Sequence, residues 1–102
     1  MQCDVHTNPD DVVGCMPYLL DVQANLVSDL ATRIVVPLVR AASFGRRADL
    51  LHPVFVVEGA EVVMATHLLA AVRRSAIGAR VASLVDHRAA IIGAIDVLSS
   101  VV

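Results

Sequence analysis

The sequence predicts a mostly β fold: five to six strands, mainly antiparallel, followed by one C-terminal α-helix. Three observations predict it. Short β-branched runs with a period of two are separated by clusters of Pro, Gly, Asn and Asp along most of the chain. Two of these runs stand on either side of Glu58-Gly59, a hairpin signal. Only over residues 86–102 does the period lengthen to 3.6, with Ile91, Ile95 and Leu98 on one face and Ile92 widening it.

The elements follow in order. Residues 2–7 alternate, Cys3 and Val5 to one side and Gln2, Asp4 and His6 to the other, as in a half-buried strand. Asn8-Pro9-Asp10-Asp11 is turn chemistry, with Pro fixing φ and the Asx side chains bonding back to the backbone; Gly14 and Pro17 extend the loop. Residues 18–25 alternate again, Leu20, Val22 and Ala24 against Asp21, Gln23 and Asn25, and pair antiparallel with the first strand. Residues 26–31 connect, bending at Ser28-Asp29. Residues 32–39 are apolar on both faces: Ile34, Val36 and Leu38 are expected in the core, while Val35 and Val39 need a second cover, from the helix or another subunit. Pro37 cannot donate to a ladder, which places it at an edge or bulge.

Residues 40–51 read as an exposed loop. Ser43-Phe44-Gly45-Arg46-Arg47 holds one Gly and two cations, which suits a solvated loop better than a phosphate cradle. After Pro53, residues 54–57 form the strongest strand; Glu58-Gly59-Ala60-Glu61 turns the chain and residues 62–65 return. Residues 67–72 fit a short helix or an irregular turn, and Gly78 stops any helix from reaching Val81. At the last helix Asp86 is the expected N-cap, and His87, Arg88, Ala89, Gly93 and Asp96 fall on the outer face.

The 102 residues suit one domain, spanning 1–102. The chain is 57% hydrophobic but only 3% aromatic, so its core is Val, Leu, Ile and Ala. Side chains this small bury little area each, and a homodimer is expected to supply the rest. A net charge of −2 gives no electrostatic footprint for nucleic acid or an anionic membrane. No apolar run is long enough to cross a bilayer, residues 34–39 being closed off by Arg33 and Arg40. The first residues lack the pattern of a signal peptide, so a cytoplasmic setting is expected, with Cys3 and Cys15 as free thiols.

No catalytic constellation emerges, and an enzyme is not expected. His6, His52, His67 and His87 lack the spacing of a metal pair, so neither metal nor cofactor is anticipated. Asp86 and His87 are adjacent and diverge, Asp10 and Asp11 sit in a turn, and there is no P-loop or GxGxxG.

Taken together, several fragments in their order and spacing resemble the CcdB family. They are Met1-Gln2, Asp21-Val22-Gln23, the run Arg33-Ile34-Val35-Val36-Pro37-Leu38, Pro53-Val54 with Met64 and Thr66, Ile77-Gly78 with Val81-Ala82 and Leu84, then His87-Arg88 and Ala94-Ile95. The resemblance runs nearly end to end. It implies an SH3-like barrel, shared with the MazF and Kid ribonucleases, carrying a C-terminal helix and assembling as a homodimer. The activity implied is that of a toxin of a toxin–antitoxin pair, which poisons DNA gyrase through its A subunit and traps cleaved DNA. A CcdA-like antitoxin neutralises it with a flexible segment that folds on binding.

Carried over residue by residue, the gyrase-binding surface of that family falls on the loop holding Ala24 and Leu26, on Asp96 where the family has Asn, and on Ser100, Val101 and Val102, where the family ends Trp-Gly-Ile. The family's Trp stacks on an arginine of gyrase, and Ser100 has no ring. Gyrase poisoning is therefore expected to be weakened or lost. Two alternatives share the fold: a MazF-like endoribonuclease using Arg33 with Thr32 or Thr66, for which the acidic balance is unfavourable, and a non-toxic homologue that only binds antitoxin.

Overall fold

A computed structural model describes residues 1–11, 13–23 and 31–100. Among the described residues seven strands form one sheet: β1 (Asp4–Thr7), β2 (Tyr18–Asp21), β3 (Thr32–Arg40), β4 (Val54–Val57), β5 (Ala60–Met64), β6 (Ala70–Arg73) and β7 (Arg80–Ser83). An α-helix, α1 (Arg88–Ser100), follows them. The spatial order is β4-β5-β3-β2-β1-β7, with β6 also on β3, and every pairing is antiparallel. The sheet curls into a half-barrel with α1 packed on it, and among the described residues it has one or two more strands than the sequence reading.

The organising strand is β3, which is long enough to serve two partners along one edge. Its first half, Thr32 to Val35, pairs with β6, and Leu38 to Arg40 pair with β5. Pro37 sits at the handover. Its carbonyl accepts from Ala65 N–H at 3.0 Å, on the side where one neighbour ends and the other begins. The missing proline donor therefore falls in a gap between partners, inside the sheet rather than at the expected edge or bulge.

The inner face is buried as the alternation requires. Cys3, Val5, Leu20, Val36, Leu38, Val62 and Met64 are fully covered, and Ile91 and Ala94 of α1 close over them. Ile34 is a correction: it shares that face but is 38% exposed, and its cross-strand neighbour Ala71 is exposed too, so this end of the barrel is open. Val35 and Val39, expected to need outside cover, are buried within the single chain together with Leu19 and Val63.

Local chemistry explains most of the turns. Asp10 N–H donates to Asn8 Oδ1 and Met16 N–H to Asp11 Oδ1, so the Asx side chains do bond back. The hairpin turn is tighter than expected: Glu58 (φ 50°) and Gly59 (φ 79°) alone reverse the chain, and the return strand starts at Ala60. Residues 67–72 resolve into a 3-10 turn, Thr66–Leu68, followed by β6. Gly78 is required for another reason than breaking a helix. Its backbone presses on Thr7, accepting no Cβ there, while its N–H donates to Thr7 O at 3.0 Å.

Asp86 does not cap α1. The helix is preceded by a 3-10 turn, Val85–His87, that contains Asp86, and the polar bond at its start comes from Ser83, whose Oγ accepts from Val85 N–H. The connector expected over 26–31 lies outside the described residues except for Ala31, an exposed bend.

Candidate functional site

The two faces of α1 differ in burial. Ile91 and Ala94, three residues apart, have no exposed surface, and Ile95 packs beside them. On the opposite side Ala89, Gly93, Asp96 and Ser100 are exposed. Their spacing of four, three and four makes one continuous outward stripe. Asp96 and Ser100 thus stand one turn apart on open surface. The Asp96 carboxylate has no partner among the described residues, whereas Ser100 Oγ donates back to Val97 O at 2.9 Å and Ser99 Oγ to Ile95 O at 3.1 Å. The other predicted contact residues, Ala24, Leu26, Val101 and Val102, lie outside the described residues.

The arginine on which a nuclease reading would depend is not available for chemistry. Arg33 is 5% exposed and Asp21 2%. Arg33 Nη2 and Nε donate to Asp21 Oδ2 at 2.6 and 3.1 Å, a charge-assisted fork from β3 to β2. Asp21 Oδ1 accepts from Gln23 N–H, and Gln23 Oε1 accepts from Ile34 N–H. Thr66 is equally engaged, its buried hydroxyl donating to Leu51 O at 2.5 Å. Thr32 is exposed, at the start of β3. Arg33 and Asp21 thus form a buried pair near the middle of the sheet.

Sequence spacing missed one cluster. His52 and His67, fifteen residues apart, meet with Nε2 and Nδ1 2.9 Å from each other. Phe44 stands edge-on to both rings, at centroid distances of 5.0 and 6.3 Å. The protons can be placed from the partners. Ala48 N–H donates to His52 Nδ1, so the His52 proton is on Nε2 and is donated to His67 Nδ1. With both facing nitrogens committed, no lone pair is left for a metal between the rings. Arg47 adds a bond to His52 O at 2.9 Å. Burial, with smaller contributions from the His67 ring and the Arg47 cation, holds the His52 pKa below the ordinary histidine value. The cluster ties the 44–52 loop to the turn after β5 and carries no nucleophile. Its signal lay in the hairpin: residues equidistant from Glu58-Gly59 face each other, which brings 52 opposite the stretch holding 67.

Cys3 and Tyr18 also read as structural. Cys3 is buried and its thiol pKa is raised, chiefly by burial, which makes it a poor nucleophile; Cys15 is a second free thiol. Tyr18 donates to Glu58 Oε1 at 2.6 Å, and that bond pushes its pKa up. Among the described residues no three metal-ligating side chains come together, and no helix is long and apolar enough to cross a membrane.

What the arrangement offers is recognition: a rigid half-barrel holding one helix by its apolar face and presenting the other. The model of the family described as CcdB protein matches residues 2–100, nearly the whole chain. No curated protein sequence matches it.

Proposed function

From the premise that this chain belongs to the CcdB family, a family of toxin–antitoxin toxins that are not enzymes, we propose that it acts by binding the A subunit of DNA gyrase and is neutralised by a CcdA-like antitoxin. It works as a homodimer in the cytoplasm, where gyrase is found. Ala24, Leu26, Asp96, Ser100, Val101 and Val102 form the gyrase-facing surface, and the reading gives no role to direct nucleic-acid contact. One observation carries it: Asp96 and Ser100 share the exposed stripe of a helix whose reverse side is locked into the core.

The same stripe sets the strength. An aromatic anchor at the centre of an interface contributes about 2 kcal/mol or more, part of it by stacking on a cation. Ser100 offers no ring, and its hydroxyl is already spent on its own helix. Affinity for gyrase is then more than about tenfold below that of a Trp-bearing surface. That bond favours the second reading, a homologue that still binds antitoxin but harms little. The ribonuclease reading loses its base of support in the Arg33–Asp21 pair.

The test is a gyrase cleavage assay with purified toxin. The double variant Ser100→Trp, Val101→Gly is expected to trap cleaved DNA at about tenfold lower concentration than the natural chain. Absence of trapped complexes from both proteins at high concentration removes gyrase as the target, and growth arrest on expression without them would point to another one.

A further inference from the structure

At the foot of α1, β1, the end of β7 and the first helical turn enclose a cleft of about 210 Å³, lined by Gln2, Asp4, Arg80, Ser83, Val85 and Arg88 among others. Two of these carry guanidinium groups, and each is held through its Nε. Arg80 Nε donates to Asp4 Oδ1 at 3.0 Å, and Arg88 Nε to Gln2 Oε1 at 3.2 Å. Anchoring at Nε fixes the plane of the group and leaves the terminal nitrogens, the edge that grips a carboxylate in parallel, without partners among the described residues. The charges do not cancel. Asp4 is largely buried and shared between Arg80 and the Met1 ammonium, whereas the partner of Arg88 is a neutral amide. The Met1 ammonium also lines the cleft, so three cations face one carboxylate there on a chain whose total is −2. Asp86, exposed on the same turn, is not part of the lining.

Two further features shape the occupant. Val85, 56% exposed, forms an apolar lip. Strand β7 is an end strand of the sheet, paired on one side to β1 among the described strands, and its last residue, Ser83, lines the cleft. An extended chain laid over the end of β7 would bring a side chain to the cleft that both arginines line. The volume is below that of small-molecule sites, which begin near about 300 Å³, so the cleft suits one side chain rather than a cofactor.

We propose that this cleft is the docking point for an aspartate or glutamate side chain on an extended acidic–aliphatic peptide segment, the segment by which the antitoxin holds the toxin. The partner's identity rests on the toxin reading above; the chemistry of the cleft does not. The probe is a fluorescein-labelled peptide of alternating glutamate and leucine, with a glutamine–leucine peptide as its control, followed by anisotropy. The natural chain is expected to bind the glutamate peptide at least about tenfold more tightly than the control, with affinity falling as salt rises. Arg88→Gln, which removes a cation whose partner is neutral, is expected to weaken the glutamate peptide at least about tenfold. Arg88→Lys keeps the charge but loses the fork, and falls between. Equal affinity for both peptides, or an Arg88→Gln variant that is folded by circular dichroism and binds unchanged, overturns the proposal. Growth arrest on expression separates the two claims. A chain that arrests growth but ignores the glutamate peptide sinks the cleft and keeps the toxin; a chain that binds it without arresting growth keeps the cleft and leaves the homologue that binds antitoxin but harms little.

Discussion

Two residues show how the fold treats its polar groups. Asp21 and Arg33 are both almost fully buried and paired, and the Met1 ammonium also lies 3.2 Å from Asp21 Oδ2. Removing one member of such a pair leaves an unpaired charge inside, which costs about 3–5 kcal/mol. Arg33→Met leaves Asp21 only the exposed Met1 ammonium and is expected to lose up to about that much by urea denaturation, and the double variant Asp21→Asn, Arg33→Met less than its single changes summed. Additive losses would mean that the two side chains act separately. His52 carries the second prediction. In the unfolded chain its ring takes up a proton as the pH falls through about 6.5; in the folded chain burial defers this to lower pH. The unfolded state therefore binds more protons in that window, and stability falls as the pH drops below about 6.5. Protonation at Nδ1 also breaks the bond from Ala48 N–H. Thermal melts between pH 7.5 and 5.5, both round settings about the ordinary histidine value, are expected to decline more steeply in the natural chain than in His52→Asn. Parallel declines would assign the pH dependence to other groups.

Among the elements, the junction of β1 and β7 is the tightest. Gly78 lies against Thr7, whose backbone oxygen would stand 2.9 Å from any added Cβ, while His6 Nδ1 lies 3.1 Å from Gly78 O. Gly78→Ala is expected to cost about 1–3 kcal/mol, as overpacking does, and Thr7→Ala should restore only part of it because the backbone atom remains. Gly45 has open space around its Cβ position, so Gly45→Ala should change the melting midpoint little and serves as the control. The strands and the helix were legible from the sequence because burial enforces their periods; Cys3, Val5, Leu20, Val36 and Leu38 all lie where the alternation puts them. What escaped was set by tertiary placement. Ile34 has the right phase but sits at an open end, β6 exists because β3 has an edge left to fill, and Asp86 lost its capping role to a 3-10 turn ahead of α1. The outer stripe of α1 was readable for the same reason as its inner one. The His52–His67 contact and the two-arginine cleft join segments that only the folded hairpin and sheet bring together.

On the scale of the whole molecule, the low aromatic content led to the expectation that a second copy completes the core. The single chain argues for a different kind of homodimer. Its exposed surface is 5896 Å², close to the ~5,500 Å² that a folded monomer of 10.8 kDa presents. Leu20, Val36, Leu38 and Met64 are already sealed, by Ile91 and Ala94 among others, with no partner present. Small side chains suffice because the sheet curls and the helix covers the concave side, which shortens the distances that a valine must bridge. The proposed homodimer is then an assembly of finished subunits, joined over exposed surface of the order of ~1,600 Å² in total, rather than a shared interior. Dilution should separate such a dimer without unfolding it. Sedimentation is expected to fall to the mass of one chain while the far-ultraviolet circular dichroism stays unchanged. If the dichroism is lost over the same concentration range as the dimer, folding and association are one event, and the core described here is not complete in a single chain.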